Sequence, residues 1–227
     1  MISVIIPAYN EEAVIGELLE YLGKNSTGFV DEIIVCDGGS SDSTREIAEQ
    51  AGAKVVVSDL KKRSAQLNRG AEAAQSEVLY FLHADTFPPP GFDRMIRDSV
   101  TSGNLSGCFR LKFDSSHPVL KFYSWFTRFS PACIRFGDQS LFVTSELFHD
   151  IGGYQEELIV MEDQEIVRRL MKASAFTIIP RNVVTSARKY VTTGVVRLQL
   201  IFTIIVTGYY FGADQKTLYH FYKSSLQ

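Results

Sequence analysis

The sequence predicts an α/β protein: a doubly wound, mostly parallel sheet flanked by helices, with a small antiparallel extension in its second half. Short apolar runs at Ser3–Ile6, Glu32–Cys36, Lys54–Val57 and Val78–Leu82 alternate with stretches of helical periodicity. The runs at Ile6, Cys36 and Leu82 give way to polar or Gly- and Pro-bearing loops, as strands buried on both faces do where their carboxyl ends open into a site. After Gly103 the pattern changes, and Cys108–Phe113 alternates like an antiparallel strand. Right-handed crossovers would gather the parallel strand ends on one edge, so the loops at 7–12, 37–42 and 83–86 should converge.

Each element has its own signals. Pro7 ends the first strand, and Asn10-Glu11-Glu12 offers a cap and first-turn acids to a helix carrying Val14, Ile15, Leu18, Leu19 and Leu22. Ser43 with Glu46 forms a capping-box pattern for the next helix, which carries Ile47 and Ala48. Residues 64–74 read as a third helix with Gly70 as its weak point. Pro88-Pro89-Pro90-Gly91 marks a break before a short helix with Phe92, Met95, Ile96 and Val100. Val119–Phe129 is rich in aromatics, Gln139–Thr144 reads as a strand, Glu162–Met171 as a helix and Phe176–Ile179 as a last strand. Residues 195–211 are markedly apolar but interrupted by Arg197, Gln199 and Gly208, and the clean run Leu200–Val206 falls far short of the roughly 20 residues of a membrane span. That segment is expected as a helix docked on the domain or lying at a membrane surface.

Composition narrows the function classes. The 227 residues suffice for one good core, so a single domain over 1–227 is expected. With 23 Lys and Arg against 26 Asp and Glu, and no basic block, nucleic acid is not an expected partner. The three cysteines, Cys36, Cys108 and Cys133, form no CxxC pair, so neither a zinc site nor a disulfide framework is indicated. The first residues lack the basic region and cleavage site of a signal peptide, and a cytoplasmic chain is expected.

The candidate chemistry begins where Val78–Leu82 stops. His83 and Asp85 should project to one side of the strand tip, with Ala84 opposite. Asp37-Gly38-Gly39 ends the second strand; a carboxylate there can accept hydrogen bonds from a nucleobase imide or ribose, and the glycines let backbone approach a ligand, though a Gly-rich turn with a helix cap reads the same way. Lys61-Lys62-Arg63 precedes a helix start, an arrangement that suits a diphosphate or a solvated basic turn. Glu162-Asp163 opens a helix, where acids are favourable with or without a catalytic duty.

Ser3-Val4-Ile5-Ile6-Pro7-Ala8-Tyr9-Asn10-Glu11, then Asp37-Gly38-Gly39-Ser40 with Asp42 and Thr44, then the strand ending at Asp85, resemble the inverting nucleotide-sugar glycosyltransferases of family 2, over roughly residues 1–189. The resemblance implies a GT-A fold, with 1–100 as the nucleotide-sugar-binding half, 101–190 as the acceptor and catalytic half and 191–227 as a helical tail. It implies a UDP- or GDP-sugar donor, transfer to an acceptor hydroxyl, and an acceptor that is a small molecule, a glycan or a lipid-linked compound. By the same match Pro7, Tyr9, Glu11, Asp37 and Gly39 line the nucleoside, Arg63 and Asn68 lie on the nucleotide side, and Asp85 ligates a metal. Asp163 is the implied general base beside Glu162.

Asp138 and Gln139 could hydrogen-bond a sugar, and Arg188 could clamp the diphosphate, with Tyr190 as a stacking surface where many relatives carry Trp. The family usually has Asp-x-Asp where this chain has His83-Ala84-Asp85. His83 either ligates beside Asp85, which favours Mn²⁺ over Mg²⁺, or contacts ribose or phosphate while Asp85 ligates alone. Two alternatives stand beside the soluble transferase: a polyprenyl-phosphate glycosyltransferase at the inner membrane face, held there through 195–211, and a non-catalytic nucleotide-sugar binder. The signatures are also similar to a bacterial subgroup named for its association with radical-SAM enzymes and arsenosugar biosynthesis, a name that rests on neighbourhood and assigns no substrate.

Overall fold

The structure, a computed structural model, describes residues 1–129, 135 and 137–226; Cys133 lies outside them. The first half alternates β1 (Ile2–Ala8), α1 (Ile15–Asn25), β2 (Val30–Asp37), α2 (Thr44–Gln50), β3 (Lys54–Val57), α3 (Arg63–Ala73) and β4 (Val78–Phe81). There follow β5 (Thr86–Phe87), α4 (Phe92–Thr101), β6 (Ser106–Phe113), α5 (Pro118–Phe126), β7 (Leu141–Thr144), α6 (Ser145–Asp150) and α7 (Glu162–Ala173). The chain closes with β8 (Phe176–Thr185), α8 (Arg188–Thr193), α9 (Val195–Tyr210) and α10 (Gln215–Ser225).

The strands form one sheet in the order β3-β2-β1-β4-β7-β6-β8-β5. The first four run parallel, and β7 then pairs antiparallel with both β4 and β6. The expected parallel sheet with an antiparallel extension is therefore present. One pairing differs from the expectation: β6 meets β7 antiparallel only over Ser106 and Gly107, and runs parallel to β8 from Ser106 to Phe113. β8 also continues to Thr185, well past Ile179. Pro180 reads as a stop, but the register shifts between Phe109 and Arg110 opposite it, so the strand bulges and resumes pairing at Asn182.

Alternation along β1 divides the core. Val4 and Ile6 face a cluster with Leu18 and Leu22 of α1 and Phe92 and Ile96 of α4. Ile5 faces the other side, with Leu67 of α3, Phe148 of α6, and Ile166 and Leu170 of α7. Helices therefore cover both faces, as buried parallel strands require.

One helix start and one cap differ from the sequence reading; α2 itself starts after Ser43 as expected. α1 begins at Ile15, because Asn10 takes a left-handed backbone (φ 54°) and accepts a hydrogen bond from the Ser41 amide at 2.9 Å instead of capping. The Ser43–Glu46 box does not form: Asp42 accepts from the Thr44 amide at 3.1 Å, and Glu12 accepts from the Ser43 amide at 3.0 Å. In both cases the polar groups tie the β1 loop to the β2 loop, a tertiary use that outcompetes the local cap.

The apolar C-terminal segment docks on the domain through Leu198, Ile201 and Ile205 of α9. Leu218 of α10 closes over Gly208. Among the described residues no helix is long and apolar enough to cross a membrane.

Gly70 has a structural reason. A Cβ there would lie inside 3.0 Å of Cys36 Sγ and Ile5 Cγ2, so α3 can settle this close to β1 and β2 only without a side chain. Gly70→Ala should destabilise the fold by about 1–3 kcal/mol through overpacking, despite alanine's better helix propensity, read as a lower urea midpoint at unchanged slope.

Candidate active site

The ends of β1 and β2 are bolted together by a residue the sequence reading passed over. Gln66, buried on α3, donates its amide to the carbonyls of Ala8 and Cys36, each at 2.8 Å. Gly38 carries no side chain because Gln66 fills that space. Asp37 is buried at the end of β2 and accepts hydrogen bonds from the amides of Gly39 (2.9 Å) and Ser40 (3.0 Å), with Arg45 Nε 3.8 Å away. The turn needs Gly39, whose φ of 87° is unfavourable for other residues. Across from it, the Asn10 amide donates to Ser40 Oγ at 2.9 Å and the Glu11 amide to Thr44 Oγ1 at 2.8 Å. Pro7 and Ala8 lie in register with Cys36 and Asp37, and Tyr9 stands largely exposed beside this cleft.

The second half of the site is built around Arg63, the first residue of α3. Its Nη2 lies 3.2 Å from Asp163 Oδ2 and its Nη1 3.7 Å from Glu162 Oε1, both at the start of α7. Nη2 also contacts His83 Nε2. A guanidinium can only donate, so Nε2 accepts and the His83 proton sits on Nδ1, which donates to Asp138 Oδ1 at 3.1 Å. Gly137 completes the cradle: a Cβ there would collide with Arg63, Asp163 and His83 at once. Met161, just before α7, takes a left-handed backbone (φ 69°), a strained turn that delivers both acids to Arg63.

Electrostatics separate the acids. Burial first, then the neighbouring Asp163 charge, pushes Glu162 up to about 7, against the pull of Arg63. Burial would also raise Asp138, but the hydrogen bond from His83 and the charge of Arg63 bring it below its ordinary value. Burial works against the Arg63 charge, yet Asp163, Glu162 and Asp138 outweigh it and hold the guanidinium protonated.

Asp85 belongs to a different contact set from His83. It lies 3.5 Å from Arg188 Nη2, and that same nitrogen bonds both Glu11 carboxylate oxygens at 2.9 and 2.7 Å. Arg188, at the start of α8, thus links the β1 loop to the β4 end across 177 residues of sequence. Among the described residues no group of three or more His, Cys, Asp or Glu side chains is gathered closely enough to hold a metal ion. A hard divalent ion could still use Asp85 together with diphosphate oxygens and water, a donor set that suits Mg²⁺ or Mn²⁺. His83 could join only if Arg63 withdrew from Nε2.

A cavity of about 730 Å³ opens on this cluster; Arg63, His83, Asp85, Asp138, Asp163 and Arg188 all line it. Pro7, Tyr9, Glu11, Asp37 and Gly39 lie at the β1 and β2 loops and do not line it, and Asn68 and Gln139 face elsewhere altogether. Asn68 donates to the Tyr154 carbonyl and to Glu156, each at 2.9 Å, and accepts from the Tyr154 amide at 2.8 Å, clamping the 153–156 loop. Gln139 is buried and accepts from Arg135 Nη1 at 2.8 Å. Tyr190 packs edge-on against Phe113 at 5.2 Å, its ring largely committed to the core.

Comparison with known proteins agrees with this architecture. The chain is 35% identical over 96 residues to glucosyl-3-phosphoglycerate synthase of Mycolicibacterium smegmatis, covering 39% of this chain and 32% of that protein. The matched stretch therefore spans about a third of that relative's length. In structure it is similar to S. aureus TarS 1–349 in complex with UDP, with a TM-score of 0.70 at 18% identity, covering 88% of this chain and 65% of that one. It is also similar to glucosyl-3-phosphoglycerate synthase from Mycobacterium tuberculosis in complex with Mn²⁺, UDP and glucosyl-3-phosphoglycerate, with a TM-score of 0.61 at 21% identity over 80% of this chain and 70% of that one. These likenesses establish a GT-A type of fold. Residues 3–145, more than half the chain, match the family described as Glycosyl transferase family 2, and the chain belongs to that family.

Proposed function

We propose that this chain is an inverting glycosyltransferase that moves a sugar from a UDP- or GDP-sugar to an acceptor hydroxyl. The observation that carries the reading is the meeting, through Arg63 and a single cavity, of the Glu162-Asp163 pair with the β4 end. A base and a leaving-group site facing one volume are what direct displacement at a sugar carbon requires. The relatives that bind UDP and Mn²⁺ support the donor class.

In this reading the nucleoside lies in the cleft between the β1 and β2 loops, formed by Pro7, Tyr9, Glu11, Asp37 and Gly39. Arg188 reaches from Glu11 and Asp85 towards the diphosphate, and a divalent ion bound at Asp85 would neutralise charge on the leaving group. Asp163 takes the proton of the acceptor hydroxyl. The hydroxyl oxygen bonds to the anomeric carbon from the face opposite the diphosphate, and the carbon–oxygen bond to the diphosphate breaks with its electron pair leaving on that oxygen. One displacement inverts the carbon, and no enzyme nucleophile is used. Arg63 orients the Asp163 carboxylate, and His83 and Asp138 brace Arg63 from the far side.

A thermal-shift titration with UDP and GDP, each with Mn²⁺ and with Mg²⁺, tests the donor assignment. A rise in melting temperature with at least one pair is expected, and Asp85→Ala should abolish the metal-dependent part; no shift with any pair would end the assignment. Asp163→Asn should lower kcat on the order of 10²- to 10⁴-fold while the nucleotide-induced shift persists; unchanged turnover would leave a binding protein as the better reading.

Glu162 gives a stability prediction with a definite sign. Its folded pKa of about 7 lies above the unfolded value near 4.5, so the stability it contributes is fully present below pH 4.5 and is lost as pH rises through 7. Glu162→Gln should therefore gain melting temperature over the wild type as pH goes from 4.5 to 8, and a constant difference across that range would contradict the raised pKa.

A further inference from the structure

The cavity beside Asp163 has two chemically different ends. Its charged side chains come from α3, the 83–85 and 138 loops and the starts of α7 and α8. The part contributed by α5 and α9 is uncharged and mostly apolar: Phe122, Tyr123 and Phe126 from one helix, and Phe202, Ile205 and Val206, with the amide of Gln199, from the other. A nucleotide sugar does not suit that second end. Its many hydroxyls and phosphates would lose water against a mostly phenyl and alkyl wall, where only the Tyr123 hydroxyl and the Gln199 amide could return hydrogen bonds. At about 730 Å³ the whole cavity lies within the range, roughly 300–1,000 Å³, of pockets that enclose organic ligands.

The surface around the apolar end continues the same chemistry. Phe122 and Tyr123 both line the cavity and stand exposed, and Trp125 on the same helix is exposed outside it. α9 buries Leu198, Ile201 and Ile205, turns Phe202 and Val206 to the cavity, and exposes Val196, Leu200 and Ile204 at four-residue spacing. A helix that is apolar in all three directions needs an apolar environment beyond the core alone.

We propose that the acceptor is an amphiphile: its reacting hydroxyl sits at Asp163 and its hydrocarbon body lies between α5 and α9. This rests on the transferase reading, because it identifies the uncharged end of the cavity as the place of that reaction's second substrate. The continuity of the apolar wall with the Glu162-Asp163 end fixes the orientation, polar head inward and chain towards the exposed aromatics of α5.

A chain-length series tests it. Methyl, butyl, hexyl and octyl β-D-glucosides, each below its micelle concentration, are titrated into the full chain by calorimetry. Affinity should rise roughly two- to fourfold per methylene, as burial of each CH₂ requires. Phe122→Ser combined with Val206→Asn should flatten that dependence, with circular dichroism confirming the fold; Phe122→Ser alone, at an exposed position, serves if the pair does not fold. Equal affinity across the series, or an undiminished slope in the variant, would overturn the proposal.

Co-sedimentation with phosphatidylglycerol vesicles distinguishes the source: pelleting together with the slope assigns a lipid-layer acceptor, and the slope without pelleting a soluble amphiphile. UDP titrations run alongside keep the two readings apart. UDP binding with a flat alkyl series removes the amphiphile and leaves the transferase; an alkyl slope without UDP or GDP binding does the reverse.

Discussion

One guanidinium holds the acidic half of this site together. Arg63 starts α3, yet its partners come from the β4 end, the 138 turn and the start of α7. Without a cation among them, Glu162 and Asp163 would repel each other in a poorly hydrated corner, and the left-handed turn at Met161 that presents them would have nothing to offset its strain. Gly137 lets the ring close, because any side chain there would occupy the space where Arg63, Asp163 and His83 meet. The site's geometry thus depends on one charge and one missing methyl group.

The scaffold delivers Arg63 through the same helix that fixes the cleft between the β1 and β2 loops. α3 lies hard against β1 and β2 at Gly70, and Gln66, one turn before it, satisfies two carbonyls at the strand ends where the sheet ladder runs out. Arg63 is three residues further back, so the position of the charge follows from the packing of the helix. Arg188 makes the corresponding link on the other side, tying Glu11 to Asp85 from the start of α8. Two arginines from distant parts of the chain therefore frame the cavity, and both sit at helix starts beside clustered acids.

The resemblance of the first half to family 2 was visible because that half carries its information locally. Strand runs at 3–6, 32–36, 54–57 and 78–82 are marked by composition and by the loops that end them, and each became a strand within a few residues of the expected limits. In the second half the signals are weaker. Pro180 hides the length of β8 because only its partner's register shift shows that the strand survives it. α10 and the helical form of α5 carry no strong pattern against their aromatic and polar neighbours.

The sequence by itself determined the fold class, the family, and the convergence of the loops at 7–12, 37–42 and 83–86, since strand–helix alternation and crossover handedness leave little freedom. It also pointed to Arg63, Asp85, Asp138, Glu162, Asp163 and Arg188, and these line one cavity. Only the tertiary structure decided who pairs with whom. His83 and Asp85 are two residues apart in a strand tip, yet one turns to Arg63 and Asp138 and the other to Arg188, because β4 ends at Phe81 and strand alternation no longer governs the residues beyond it. Asn68 and Gln139 went to loop and core partners for a similar reason: a side-chain amide takes whichever buried backbone or charged group the packing leaves within 3 Å, and chain spacing does not encode that choice.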